Sequence, residues 1–398
     1  MALVFVPKET RAGETRVACS PETVKRFVKS GLRVAVQKGA GEAAGVPDAV
    51  FAGLGAELVE AEAWERADMI VKVAPPTVQE AGRIREGALL VAILQPSSNR
   101  DVVEALRDGK VTTLAMDLIP RISRAQSMDV LSSQATVGGY KAVLLGASHL
   151  KKLCPLLMTA AGTVPPARVV VFGAGVAGLM AIATARRLGC VVEATDVRMA
   201  AKEQVESLGG RFIEVPGAED MEDAGGYAKE QSADFLKCQR EEVKKRVAEA
   251  DLVITTAQIP GRKAPVLVDR EMLRSMNAGS VLVDMAVESG GNCELSEKDR
   301  IVVHEGVTLI GVANLPATVP LHASELYAKN VLNLVKLFLT KEGELTPDFE
   351  DEVLSGCRLT AGGEIHHGPT REALGGSTPP AAETPPTSPA LPAPPSNG

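Results

Sequence analysis

Apolar and polar positions alternate with two different periods along this chain. Residues 3–6, 33–37, 69–73, 89–94 and 112–116 are short β-branched or apolar runs. Between them lie stretches of helical spacing, such as 21–30 and 99–108. Uninterrupted apolar runs of strand length suit strands buried on both faces. Their alternation with helices predicts an α/β architecture with a mostly parallel sheet. The second half repeats the pattern more sharply, at 168–172, 191–195, 211–214, 252–256, 281–284 and 308–312. Two adjacent, doubly wound parallel-sheet domains with a cleft between them are the economical reading.

Residues 135–161 read as a connecting helical region, with Gln134, Thr136, Gly138 and Gly139 at its start. Gly162-Thr163-Val164-Pro165-Pro166 breaks the chain before the next sheet begins. Residues 322–339 carry Leu326, Val331, Leu332, Leu334, Val335 and Phe338 at helical spacing. This helix is expected to run back onto the first domain. The expected organisation is a discontinuous first domain (1–134 plus 320–345), a second domain (135–319), and a linker with a disordered Pro-rich tail (346–398). From about residue 368 Pro, Ser, Thr and Ala dominate. Such a segment cannot bury enough apolar surface to offset its ordering entropy.

Composition sharpens this picture. The chain has 398 residues, 45% hydrophobic, with 37 glycines and only 3% aromatics. Its core must therefore be aliphatic, with many close backbone approaches. A net charge of −7 argues against nucleic acid as the main partner. Residues 1–8 enter a strand pattern directly, without the basic and apolar regions of a secretory signal. The longest uncharged apolar run, 169–185, falls short of the ~20 residues a membrane helix needs and is interrupted by glycines. Six scattered cysteines form no CxxC pair, and no His/Cys cluster has metal spacing, so no metal is expected. The adjacent His366 and His367 read as a solvated pair.

The chemistry concentrates after residue 168. The apolar run Val169-Val170-Val171-Phe172 leads into Gly173-Ala174-Gly175-Val176-Ala177-Gly178 and then a helical pattern. In this GxGxxG arrangement the first glycine allows the tight turn. The second leaves room for a pyrophosphate, and the third lets helix and strand pack closely. The helix N-terminus then offers free N–H groups and partial positive charge to the phosphates. Asp196 ends the next strand-like run, about twenty residues on, where a carboxylate would bond both ribose hydroxyls. It would also repel a 2′-phosphate, which favours NAD over NADP. Gly39, Gly41 and Gly45 are spaced GxGxxxG without a matching acidic residue, and read as a turn.

At this point the residues resemble a known family. Besides the fingerprint, the carriers are Pro7-Lys8-Glu9-Thr10, Gly13-Glu14-Thr15-Arg16-Val17-Ala18, and the loop from Pro120 to Asp129. Others are the stretch from Met158 to Arg168, Thr195-Asp196-Val197-Arg198, the stretch from Lys202 to Gly210, Gly225-Gly226-Tyr227-Ala228-Lys229, and Gly290-Gly291-Asn292-Cys293. From Leu3 to about Ile365 the chain resembles the soluble NAD(H)-binding components of proton-translocating NAD(P) transhydrogenases, and more distantly the alanine dehydrogenases. The resemblance implies two Rossmann-like domains. It implies NAD(H) in this chain and NADP(H) in a partner subunit, with hydride exchange between them coupled to proton translocation by membrane-spanning partner chains. It also implies a homodimer, cytoplasmic and peripheral to the inner face of a bacterial plasma membrane through its partners.

The same resemblance implies the site. Arg121 and Asp129 pair and hold the nicotinamide, while Gln126 reaches toward the partner's nucleotide. These three are the candidate catalytic residues. Ile122, Ser123, Ser127, Met128 and Ser132 join them as cofactor contacts from that loop. Gly173, Ala174, Gly175, Val176 and Gly178 cradle phosphate, and Asp196, Val197 and Arg198 flank the ribose. Gly226, Tyr227 and Ala257 complete the set. The residue types agree with the chemistry: hydride transfer between nicotinamides moves no proton with the hydride, so it needs alignment rather than a general base. The polar insertion 216–240, with Gly225-Gly226 and Tyr227, reads as a lid whose ring can close on bound nucleotide.

Two alternatives share the fold. An alanine dehydrogenase would need acid–base chemistry. Arg16 and Lys72 match that family's arginine and lysine, but Gln95 stands where its histidine belongs and Glu288 where it has aspartate. A glutamine cannot exchange a proton near neutral pH. Arg16 and Lys72 then read as inter-domain or structural contacts. A catalytically silent NAD(H) sensor is the other alternative.

Overall fold

The apolar runs of the first half form strands β1 (Leu3–Val6), β2 (Arg33–Gln37), β3 (Glu57–Val59), β4 (Met69–Val71), β5 (Leu89–Ala92) and β6 (Thr112–Ala115). They pair in parallel in the order β3-β2-β1-β4-β5-β6. The structure, a computed structural model, describes residues 1–214, 233–258 and 263–375. Next in the chain come β7 (Leu157–Thr159) and β8 (Gly162–Val164), an antiparallel pair outside both sheets. The second sheet comprises β9 (Arg168–Phe172), β10 (Val191–Thr195), β11 (Arg211–Phe212), β12 (Leu252–Thr255), β13 (Val281–Asp284), β14 (Arg300–His304) and β15 (Val307–Gly311). Its order is β11-β10-β9-β12-β13-β15-β14, parallel except for the edge strand β14. Each sheet reverses its winding direction once, between β1 and β4 and between β9 and β12. Such switch points open a crevice at the carboxyl ends of the strands. The fold is thus two Rossmann-like, doubly wound domains.

Inner strands are buried on both faces, which is why they read as unbroken apolar runs. Residues 169–172, for instance, are all buried. The helix Val130–His149 joins the domains and buries Val137, Gly138, Gly139, Ala142, Val143 and Gly146. A side chain at Gly139 would overlap the Ala177 carbonyl oxygen, so only glycine lets this helix lie so close to Val176–Arg187. The helix Pro320–Val335 returns to the first sheet, where Tyr327, Val331, Leu334 and Val335 enter the core. The Tyr327 hydroxyl donates to the Lys72 carbonyl at 2.5 Å.

Two expectations need correction. Residues 346–375 are not a linker. The helix Glu352–Cys357 leads into β16 (Arg358–Ala361) and β17 (Glu364–Ile365), and β16 pairs antiparallel with β6 to extend the first sheet. Leu359 and Thr360 are buried there, and Asp351 caps the helix by accepting from the Val353 and Leu354 amides. A four-residue strand beside Gly362-Gly363 carries too short a pattern to read in advance. The tail beyond residue 375 lies outside the described residues. Similarly, Gly162-Thr163-Val164 does not merely break the chain but forms the second arm of the β7–β8 hairpin. Among the described residues, no helix is long and apolar enough to cross a membrane.

Candidate functional site

The glycine loop lies at the switch point of the second sheet, between β9 and Val176–Arg187. Gly173 takes φ +93, and a Cβ there would sit 2.5 Å from Thr256 Oγ1. A Cβ at Gly178 would overlap the Gly173 carbonyl oxygen. Gly175 differs from both. It N-caps the helix in extended backbone, with no side chain capping the first turn, and a Cβ there would meet nothing within 4 Å. The loop therefore encloses open space directly before a set of helical N–H groups that no side chain caps. Such a cradle fits a pyrophosphate by shape and by the helix's partial positive charge.

Asp196 follows β10 on the rim of the same crevice. Its Oδ2 accepts from the Ala174 amide at 2.6 Å, and its Oδ1 from the Arg198 amide and Nε, both at 2.9 Å. The carboxylate thereby ties the second strand to the glycine loop, within one residue of the open cradle. Val197 and Arg198 are half-buried beside it.

Ala257 is held by a buried residue to which the sequence alone assigned no function. The Ala257 amide donates to Asn292 Oδ1 at 3.0 Å, and Asn292 Nδ2 donates back to the Ala257 carbonyl at 2.9 Å and to that of Pro265 at 2.8 Å. Asp284, fully buried at the end of β13, accepts from the Asn292 and Cys293 amides and the Thr255 hydroxyl. A carboxylate ending an apolar strand run, followed by Gly-Gly-Asn, was the available signal.

The loop at 121–132 belongs to the other domain. A short 3-10 turn, Ser123–Met128, buries Ala125 and Met128 and presents Ser123, Gln126 and Ser127 to solvent; Arg121 is exposed just before it. Ile122 packs on the first core. Asp129 caps the connecting helix, accepting from the Ser132 amide at 2.9 Å and its hydroxyl at 2.6 Å. Arg124 ties the loop to Asp351 through two bonds of 2.7 and 2.9 Å. The connecting helix starts at this loop and touches Ala177 at Gly139, nine residues further on, or ~14 Å at 1.5 Å per residue. The connecting helix thus begins at the loop and packs on the first turn of the helix that follows the glycine cradle. Gly226 and Tyr227 lie outside the described residues.

The switch point of the first sheet is filled by internal ion pairs. Lys72, fully buried, lies 3.1 Å from Glu9 and 3.6 Å from Glu80, with its ammonium over the Trp64 ring. Burial raises the Glu9 carboxyl above its ordinary range, against the pull of Lys72. Arg16 is bonded twice to Glu14, at 2.7 and 2.6 Å, and once to Gln134, at 2.8 Å. Gln95 sits at φ +45, its amide and that of Leu94 both donating to Asp117 at 2.8 Å.

Comparisons with known proteins agree with this geometry. The family model described as "Alanine dehydrogenase/PNT, N-terminal domain" matches residues 5–138, and its C-terminal counterpart matches 142–368. The chain is 51% identical over 374 residues to the first portion of NAD(P) transhydrogenase subunit alpha of Rhodospirillum rubrum, spanning 92% of this chain and 97% of that protein. The solved transhydrogenase from Sinorhizobium meliloti superposes with TM-score 0.85 at 45% identity, covering 91% of this chain and 99% of the other. A solved L-alanine dehydrogenase superposes with TM-score 0.78 at 28% identity, covering 94% and 99%.

Proposed function

This chain belongs to the alanine dehydrogenase/PNT family, alongside NAD(P) transhydrogenase alpha subunits, and from that premise we propose that it is the NAD(H)-binding subunit of a proton-translocating transhydrogenase. In this reading NADP(H) sits on a partner subunit, and membrane-spanning partner chains move the proton. The complex holds this chain peripherally, at the inner face of the plasma membrane. The observation that carries the reading over an amino-acid dehydrogenase is Gln95 with its surroundings. It cannot act as acid or base, and the two cations that match the dehydrogenase pattern, Arg16 and Lys72, are already paired internally with Glu14 and Glu9.

A bound dihydronicotinamide would supply the hydride. The residues of this chain bind and align. Gly173, Gly175 and Gly178 shape the phosphate cradle, and the Asp196 carboxylate meets the ribose. The exposed 121–129 loop faces outward, where Arg121 and Asp129 hold the nicotinamide end and Gln126 reaches the partner's nucleotide. No proton accompanies the hydride, so no general base is required of this chain.

The test is reconstitution. Alone, the chain should catalyse little net transfer. Mixed with an NADP(H)-binding partner, it should support hydride exchange between the two nucleotides. Robust reductive amination of pyruvate by the chain alone would establish the dehydrogenase alternative instead.

Nucleotide selectivity is a separate check. The isolated chain should bind NADH far more tightly than NADPH, because the Asp196 carboxylate repels a 2′-phosphate. Asp196→Ala should weaken NADH binding about fivefold, ~1 kcal/mol, and narrow the gap. Equal titration of both nucleotides by the unmutated chain would refute this assignment. The homodimer finds support in the hairpin, where Leu157 is 37% and Met158 76% exposed on strands that, among the described residues, pair only with each other. Sedimentation at twice the chain mass is the measurement that decides it.

A further inference from the structure

The 121–129 loop is held by a residue more than 200 positions away in sequence. The return helix Pro320–Val335 presents Tyr327, Val331 and Leu334 to the core, yet buries Asn330 among them at 7% exposure. A buried amide without partners would be costly. Asn330 has two. Its Nδ2 donates to the Ser127 carbonyl at 2.8 Å, and its Oδ1 accepts from the Ser133 hydroxyl at 2.7 Å. A carbonyl can only accept, so these two bonds set the orientation of the amide. Asn333 also donates to Ser127, at 3.2 Å, but from a half-exposed position open to water.

Ser127 directly follows Gln126 in the turn Ser123–Met128, which has no side-chain cap of its own. With its carbonyl pinned, the Ser127–Met128 peptide, one residue beyond Gln126, is held in place. The bonds continue inward. Gln134 donates to the Ala323 carbonyl and accepts from Arg16, Arg16 is paired with Glu14, and Glu14 accepts from Asn314, just past β15. The chain of bonds runs from the end of the second sheet to the loop.

We infer that Asn330 is a positioning residue for hydride transfer, holding the Ser127 carbonyl so that Gln126 is presented at a fixed place and angle. The inference rests on the proposed assignment of the loop to the transfer step. Asn330 is buried beneath the loop and bonded to Ser127 and Ser133, so its effect should fall on rate rather than on NADH affinity.

The experiment measures transient hydride transfer in the reconstituted complex, alongside NADH titration of the same proteins. Asn330→Asp keeps shape and the acceptor for Ser133 but loses the donor to Ser127. It should slow transfer about fivefold with NADH affinity within about twofold. Ser133→Ala leaves Asn330 in place without its orienting partner. It should slow transfer by about twofold to threefold and keeps the test alive if the first variant folds poorly. Gln126→Asn is measured in parallel. If Gln126→Asn is slow while both other variants transfer at the unmutated rate, the positioning inference is wrong and the loop assignment stands. If Gln126→Asn is also unimpaired, the loop assignment fails and the inference falls with it. A proportional loss of NADH affinity in Asn330→Asp would equally overturn the inference, since it would mark a general structural defect.

Discussion

Replacing Gly178 by alanine is expected to lower NADH affinity by about 100-fold or more, ~2.7 kcal/mol. The added methyl would overlap the Gly173 carbonyl oxygen. That atom belongs to backbone, so relief must come from moving the loop or the helix. Gly173 itself already sits at φ +93 against Thr256, which leaves the loop little room to yield. Overpacking of this kind also destabilises by roughly 1–3 kcal/mol, so the melting temperature should fall. Gly175→Ala separates the two effects. Nothing lies within 4 Å of its Cβ position, and its backbone at φ −73 accepts alanine. The melting temperature should therefore stay unchanged while NADH affinity drops about tenfold or more, because the methyl occupies the space the pyrophosphate needs. NADH titration by intrinsic nucleotide fluorescence, paired with thermal melts, reads both quantities. A Gly175→Ala protein that binds NADH normally would remove the phosphate from this cradle.

Shortening Gln126 to asparagine should slow hydride transfer by tenfold or more, with misalignment of ~1 Å able to cost ~100-fold. NADH affinity should stay within about threefold, under ~0.7 kcal/mol. The geometry behind this split is the exposed Gln126 side chain on a turn whose neighbours Ala125 and Met128 are buried. The backbone is anchored and the side chain is free to reach outward, so removing one methylene should displace the amide without disturbing the turn. Arg121→Ala should behave differently. It removes a charge assigned to holding the nicotinamide, so affinity and rate should fall together. Transfer at the unmutated rate in Gln126→Asn would reduce the loop to a surface connection.

Local features of this protein were readable along the chain, and contacts closed over long distances were not. The glycine fingerprint sits within one strand–turn–helix, and Gly173 and Gly178 there answer to neighbours a few residues away or at the adjacent strand end. Inner strands were legible because burial on both faces leaves an unbroken apolar run, as in Val169-Val170-Val171-Phe172. Several short or exposed strands at or near the sheet edges escaped. β3 is three residues long with one of them buried, β14 is mostly exposed, and β16 is a four-residue strand whose pairing with β6 spans more than 240 positions. Propensity is set by sterics between near neighbours, so a short strand that owes its existence to a distant partner leaves almost no mark of its own. The same holds for the site. Asp196 could be placed by its spacing from Gly178, but its bond to the Ala174 amide could not. Asn292 and Asn330 are chemically ordinary amides in sequence. Only the closing of the chain puts one against both backbone groups of Ala257 and the other beneath Ser127, because an amide's partner is chosen by where burial leaves an unpaired carbonyl or N–H, and that is decided by the packed tertiary structure.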